Sequence, residues 1–176
     1  KTLASVGPLQ SLRNGFNSLV SKVTLGRGLK IWYSPKIKAV DSKKDFTEFQ
    51  LQNGLKVIFK QSKGAKLKTN LVIHSGSAKD PEHKSGLAHF LEHIMLSNTK
   101  EFHDDLLKVI KTNGGGINAS TSNQETSYPL LLPNDKIDLA LRVYRAYMTA
   151  PEFDEKTVAK EKAVIHSELK MTEAKA

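Results

Sequence analysis

The period of the apolar positions changes several times along the chain, and each change marks an element. Phe46-Thr-Glu-Phe-Gln-Leu51 and Leu55-Lys-Val-Ile-Phe-Lys60 alternate on either side of Asn53-Gly54. A period of two puts one face of each strand on a core, and Asn-Gly favours a tight turn, so this stretch predicts a β-hairpin. A third strand, Leu67 to His74, ends at Ser75-Gly76-Ser77. After the Pro81 loop the period becomes helical from about Gly86 to Leu96, and again from about Phe102 to Lys111. Gly114-Gly115-Gly116 stops the chain, and two strands are expected beyond it, Ile117 to Thr121 and Thr126 to Leu132. Pro133-Asn134 opens a helix in which Ile137, Ala140, Leu141, Tyr144 and Met148 recur at helical spacing, and Pro151 closes it. Asp154 is placed to cap a last helix reaching about Thr172. Strand pairs followed by helices, without regular βαβ alternation, predict an α+β fold: a largely antiparallel sheet covered on one face by helices.

Composition narrows the class. A chain of 176 residues, 39% apolar and 26% charged, can bury a core without covalent staples. The absence of Cys excludes disulfide frameworks, thiolate metal sites and cysteine nucleophiles. No apolar run approaches the roughly 18 residues of a membrane span, so none is expected.

The net charge of +9 suggests phosphate backbones until its distribution is considered. Residues 1–40 hold seven basic residues and no acid, whereas the remainder holds 20 basic and 18 acidic residues. The excess therefore belongs to a basic N-terminal arm or leader over 1–44, separate from the body over 45–176, and no nucleic-acid partner is expected for the body. For the arm itself three readings compete: a leader packed on the body or a partner, the remnant of a targeting segment, and a nucleic-acid arm that lacks interleaved aromatics before Trp32. A first residue of Lys1 points to a processed chain, so an exported, periplasmic or organellar location is favoured over the cytosol.

The candidate chemistry lies on the Gly86–Leu96 segment. Leu87, Phe90, Leu91, Ile94 and Met95 form an expected core stripe, leaving His89, Glu92, His93 and Leu96 on the other face. Imidazoles four residues apart stack on one helix face and can offer two nitrogens to one metal ion. A carboxylate beside them can reach a metal-activated water without itself being a ligand. His89-Phe-Leu-Glu92-His93 is H-x-x-E-H, the inverse of the commoner zinc-protease motif.

A catalytic zinc needs a third protein ligand and an open fourth position. His74, His83, His103, Asp104, Asp105, Glu161, His166 and Glu168 are the candidates. Glu161, Val164, Ile165 and Glu168 share one helical stripe, which implies two carboxylates at a core boundary, where a cation would remove the cost of unpaired charge.

These residues reach a family resemblance. Gly86-Leu-Ala-His89-Phe-Leu-Glu92-His93-Ile-Met-Leu, then Gly114-Gly-Gly-Ile-Asn118-Ala119-Ser-Thr121, Tyr128, and Glu161 with Glu168 resemble the pitrilysin/insulinase family of inverted zincins. The resemblance runs from about Phe46 to about Glu173 and leaves out the arm. It implies a zinc-dependent endopeptidase acting on peptides or unfolded segments, with His89, His93 and Glu168 as zinc ligands and Glu92 as general base. Glu161 would support the site. Gly116, Asn118, Ala119, Ser120 and Thr121 would form an edge strand on which the substrate backbone lies, adding a strand through main-chain hydrogen bonds.

Members of the family are built from paired domains, with an Arg and a Tyr from a later domain completing the site. This chain contains neither, since Arg142, Tyr144, Arg145 and Tyr147 lie in the wrong part. The resemblance therefore implies the zinc-bearing part of a longer assembly, partnered by further peptidase domains or a homologous subunit. A non-catalytic homologous subunit or scaffold is the competing class, and the intact H-x-x-E-H and Glu168 argue against it.

Overall fold

The computed structural model describes residues 46–51, 53–60, 64–97, 99–103, 106–149 and 151–174; the basic arm lies outside the described residues. The chain divides into two compact units, Lys1–Ala65 and Lys66–Ala176.

In the first unit, β1 (Thr47–Gln50) and β2 (Lys56–Phe59) form the expected antiparallel hairpin, with Thr47 opposite Phe59 and Gln50 opposite Lys56. The turn closes through Gly54 N–H to Leu51 O at 2.9 Å, and Asn53 Oδ1 accepts from Leu55 N–H at 3.1 Å. Gly54 takes φ +87°, a left-handed conformation that costs a residue without a Cβ little.

In the second unit, β6 (Thr126–Pro133) is the centre of the sheet. It pairs antiparallel with β3 (Lys66–Ile73) on one side and with the short strands β4 (Gly116–Ile117) and β5 (Ser120–Thr121) on the other. The single strand expected over 117–121 is broken at Asn118–Ala119, although β4 and β5 keep one register with β6. Pro129 is the reason: Asn118 N–H donates to Pro129 O at 3.0 Å, but proline has no N–H to return the bond.

Along β6, Thr126, Tyr128, Leu130 and Leu132 are buried, alternating with more exposed residues, so one face of the sheet is in the core. Onto that core pack Met95 of α1 (Leu87–Ser97), Leu106 and Ile110 of α2 (Leu106–Thr112), and Ala140, Val143, Ala146 and Tyr147 of α3 (Ile137–Thr149). The α+β expectation holds. The α3 core face is turned from the expected one, since Val143 and Tyr147 are buried and Met148 is exposed. Tyr144 Oη donates to Tyr128 O at 2.8 Å and lies 2.9 Å from Thr69 Oγ1, tying α3 to the sheet. α2 begins later than expected because His103 sits at φ +46°, outside helical geometry, while Phe102 is buried in the preceding turn. The last helix, α4 (Glu155–Glu173), starts as expected, with Asp154 Oδ1 accepting from Thr157 N–H at 2.9 Å.

Candidate metal centre

Two helices and one strand build the site. α1 is started by a residue the sequence reading passed over: Asp80 accepts from Gly86 N–H at 2.7 Å through Oδ2 and from Ala88 N–H at 2.8 Å through Oδ1. A carboxylate on these otherwise unpaired amides also complements the positive end of the helix dipole. The only signal available in the sequence is an acid in the loop before the helix.

The expected face assignment of α1 is corrected. Leu87 and Leu91 are exposed, whereas Glu92 is buried together with Ile94 and Met95. The histidine face is partly covered because α4 and β5 pack on it, so Glu92 and His93 are largely enclosed and part of the apolar stripe turns outward.

Within that interface His93 Nε2 lies 3.2 Å from His89 Nε2, and Glu168 Oε2 lies 3.6 Å from each of them. Among the described residues this is the one group of three acidic or imidazole side chains whose donor atoms converge, all within 4.8 Å. The other candidates are elsewhere. His74, His83, His103 and His166 are exposed, His103 pairing with Glu152 at 3.3 Å, and Asp104 and Asp105 lie outside the described residues.

Glu161 sits behind His93. It is 5% exposed, and its Oε2 lies 3.2 Å from His93 Nδ1 while Ser97 Oγ donates to its Oε1 at 2.5 Å. Burial alone would raise the Glu161 pKa, but the hydrogen bonds from Ser97 and His93 and the nearby Lys160 outweigh it and hold the carboxyl below its ordinary value. An ionised carboxylate only accepts, so the hydrogen between the two is on His93 Nδ1. In the neutral ring that leaves a lone pair on Nε2, aimed at His89 and Glu168.

Two imidazole nitrogens and a carboxylate oxygen at these separations fit a small divalent cation. Ligands about 2.1 Å from a tetrahedral ion lie ~3.4 Å apart, close to the spacings found. His89 and Glu168 are partly exposed, so the group is in contact with solvent.

Glu92 lies beside this group without joining it. Thr121 Oγ1 donates to Glu92 Oε2 at 2.7 Å, linking the carboxylate to β5. Burial, and after it the Glu92 charge, pushes the Tyr128 pKa up to about 12. Of the expected substrate strand, Gly116 lies in β4, Asn118 and Ala119 in the break, and Ser120 and Thr121 in β5. Among the described residues the outer edge of β4 and β5 pairs with no strand. The Thr121 and Ser97 hydroxyl contacts had no counterpart in the motif spacing.

The family model described as Insulinase (Peptidase family M16) matches residues 56–176. The chain belongs to that family. Protease 3 of Escherichia coli (strain K12) is 34% identical to it over 136 residues, 74% of this chain and 14% of the relative. Insulin-degrading enzyme of Bos taurus is 29% identical over 135 residues, 75% of this chain and 13% of the relative. Among solved structures, pitrilysin is similar with a TM-score of 0.69 and 31% identity, over 80% of this chain and 16% of that one. The first half of the periplasmic protease PqqL from Escherichia coli gives a TM-score of 0.69 and 26% identity, over 76% of this chain and 31% of that one. The chain thus spans about one-seventh of the length of the two sequence relatives, with 14% and 13% covered. No helix among the described residues is long and apolar enough to cross a membrane.

Proposed function

We propose that the protein is a zinc-dependent endopeptidase of the insulinase family, hydrolysing peptide bonds in peptides or unfolded segments. The observation that carries this reading is the convergence of His89, His93 and Glu168 donor atoms beside a buried Glu92 that is not among them. A scaffold needs neither. Bound by His89, His93 and Glu168, zinc would supply a Lewis acid that polarises the scissile carbonyl and acidifies a water molecule.

The chain's own residues do the rest. Glu92 removes a proton from the attacking water and delivers it to the departing amine. Thr121 occupies Oε2 of Glu92, which leaves Oε1 for that proton. The open edge of β4 and β5 receives the substrate backbone as an added strand, with Gly116, Asn118, Ala119, Ser120 and Thr121 along it. Glu161 holds His93 in its ligating tautomer. Further peptidase domains or a homologous subunit complete the assembly, in keeping with a relative of which the matched region makes up only 14%. The description of PqqL as periplasmic supports the favoured exported or organellar location.

The test is metal content and peptide cleavage by the intact protein and its Glu92→Gln variant. Wild type should carry zinc and cleave; Glu92→Gln should keep the metal and lose activity by about 10²- to 10⁴-fold. A zinc-free wild type, or an equally active variant, would refute the reading.

A further inference from the structure

We propose that Ser97 is a positioning residue of the metal site, acting through Glu161 to fix the tautomer of His93. The inference rests on the zinc reading above for its functional consequence, but its structural basis is independent of any metal.

Glu161 is a buried carboxylate with one principal donor on each oxygen: His93 Nδ1 at Oε2 and Ser97 Oγ at Oε1. Both donors come from α1, four residues apart, and so lie one above the other on a single helix face. The remaining contact at Oε1 is Lys160 Nζ at 3.5 Å, on a side chain 66% exposed, where solvent weakens the attraction. Removing the Ser97 hydroxyl therefore leaves a buried carboxylate oxygen with only that weak partner. The carboxylate would then rotate or shift towards Lys160 and solvent, and the oxygen facing His93 Nδ1 would no longer be held in place.

The consequence reaches the donor group by two routes. His93 would lose the acceptor that keeps hydrogen on Nδ1, so part of the population would carry it on Nε2, the atom that faces His89 and Glu168. The same contact also sets how the two helices meet. Along α1 the order is His89, His93, Ser97, and their partners on α4 run the opposite way, Glu168, then Glu168 with Glu161, then Glu161. Ser97 closes the far end of this ladder, and Glu168 lies two helical turns beyond Glu161 on α4. The hydroxyl thus helps fix the height at which Glu168 arrives. The H-x-x-E-H pattern itself makes no demand on position 97.

The experiment uses the intact protein with ¹⁵N-labelled histidine. In metal-free samples, long-range ¹H–¹⁵N spectra read which His93 nitrogen carries hydrogen, and chelator competition reads zinc affinity. Wild type and Ser97→Thr should show Nδ1–H, with zinc affinities within about threefold of each other because threonine keeps the hydroxyl. Ser97→Ala should show a mixed tautomer and bind zinc roughly tenfold more weakly. Alanine is a good helix former, so its thermal unfolding should stay close to wild type. In a Glu161→Gln background, Ser97→Ala should have little further effect, since the pathway is already cut. A wild-type tautomer in Ser97→Ala overturns the proposal, and so does a full additional loss in the Glu161→Gln background. If wild type takes up no zinc, the peptidase reading falls, while the metal-free tautomer measurement still decides the role of Ser97.

Discussion

Thr121 Oγ1 donates to Glu92 Oε2 at 2.7 Å, so the strand proposed to carry the substrate is bonded directly to the proposed general base. Glu92 is 5% exposed, and loss of a hydrogen bond to a buried charged group costs roughly 1.5–3 kcal/mol. Thr121→Val keeps the shape and removes the donor. We expect kcat to fall about ten- to hundredfold with KM changed little, because the substrate's main-chain contacts remain. Zinc content should be unchanged, as Thr121 touches none of the three donors. Thr121→Ser should recover most of the rate. Steady-state kinetics with metal analysis check this, and an unimpaired Thr121→Val would show that the contact does not position Glu92.

The ligand assignment predicts an order of metal affinities. Glu168 contributes a converging oxygen, Glu161 acts from behind His93, and Glu92 makes no part of the group. Glu168→Gln should weaken zinc binding most, by about a hundredfold or more. Glu161→Gln should weaken it by roughly ten- to hundredfold, and Glu92→Gln least. Competition with a chelator of known affinity measures all three, and a Glu92→Gln loss exceeding that of Glu168→Gln would reverse the assignment.

The parts of the site legible in the sequence were those with local causes. His89, Glu92 and His93 share a helix, so their spacing alone brings them together, and Asp154 caps α4 three residues away at Thr157. Glu168 is different: 75 residues separate it from His93, and only the docking of α4 on α1 brings it there, which no periodicity in either helix specifies. Its stripe with Glu161 made it a candidate, and the family resemblance singled it out as the third ligand. The same docking explains the misplaced core stripe, since covering the histidine face turns Leu87 and Leu91 outward. The break between β4 and β5 was equally hidden, because Pro129 interrupts a neighbouring strand only once the register sets it opposite Asn118.

Gly76 predicts how β5 is braced. Ser77 N–H donates to Ser122 O at 3.0 Å and Ala78 N–H to Asn123 O at 2.9 Å, while Thr126 Oγ1 donates to Ser75 O. A Cβ on Gly76 would stand 2.1 Å from Ser122 O and 2.8 Å from Glu125 N, both backbone atoms. Gly76→Ala must therefore displace the turn that follows Thr121. It should destabilise the protein by ~1–3 kcal/mol and lower activity through Thr121. Denaturant unfolding and kinetics read the two effects, and an unchanged transition midpoint would mean the brace yields freely.

Glu101 predicts an acid-sensitive clamp away from the site. Arg142 Nε lies 2.8 Å from Oε1 and Arg145 Nη2 2.7 Å from Oε2, so one carboxylate spans two arginines a turn apart on α3, and the Arg142 guanidinium also lies over the Phe102 ring at 5.6 Å. Burial by itself would raise the Glu101 pKa, but the hydrogen bonds and charges of Arg145 and Arg142 outweigh it and lower the pKa below its ordinary 4.5. A folded-state pKa below the unfolded one contributes stability that is present in full above about 4.5 and is lost as pH falls through the folded value. Glu101→Gln cannot ionise, so it should be less stable than wild type at neutral pH, with the difference shrinking progressively below about pH 4.5. Denaturant unfolding of both proteins between pH 3 and 7 checks the sign. A difference that grows on acidification would mean that the carboxylate is not held by these arginines in solution.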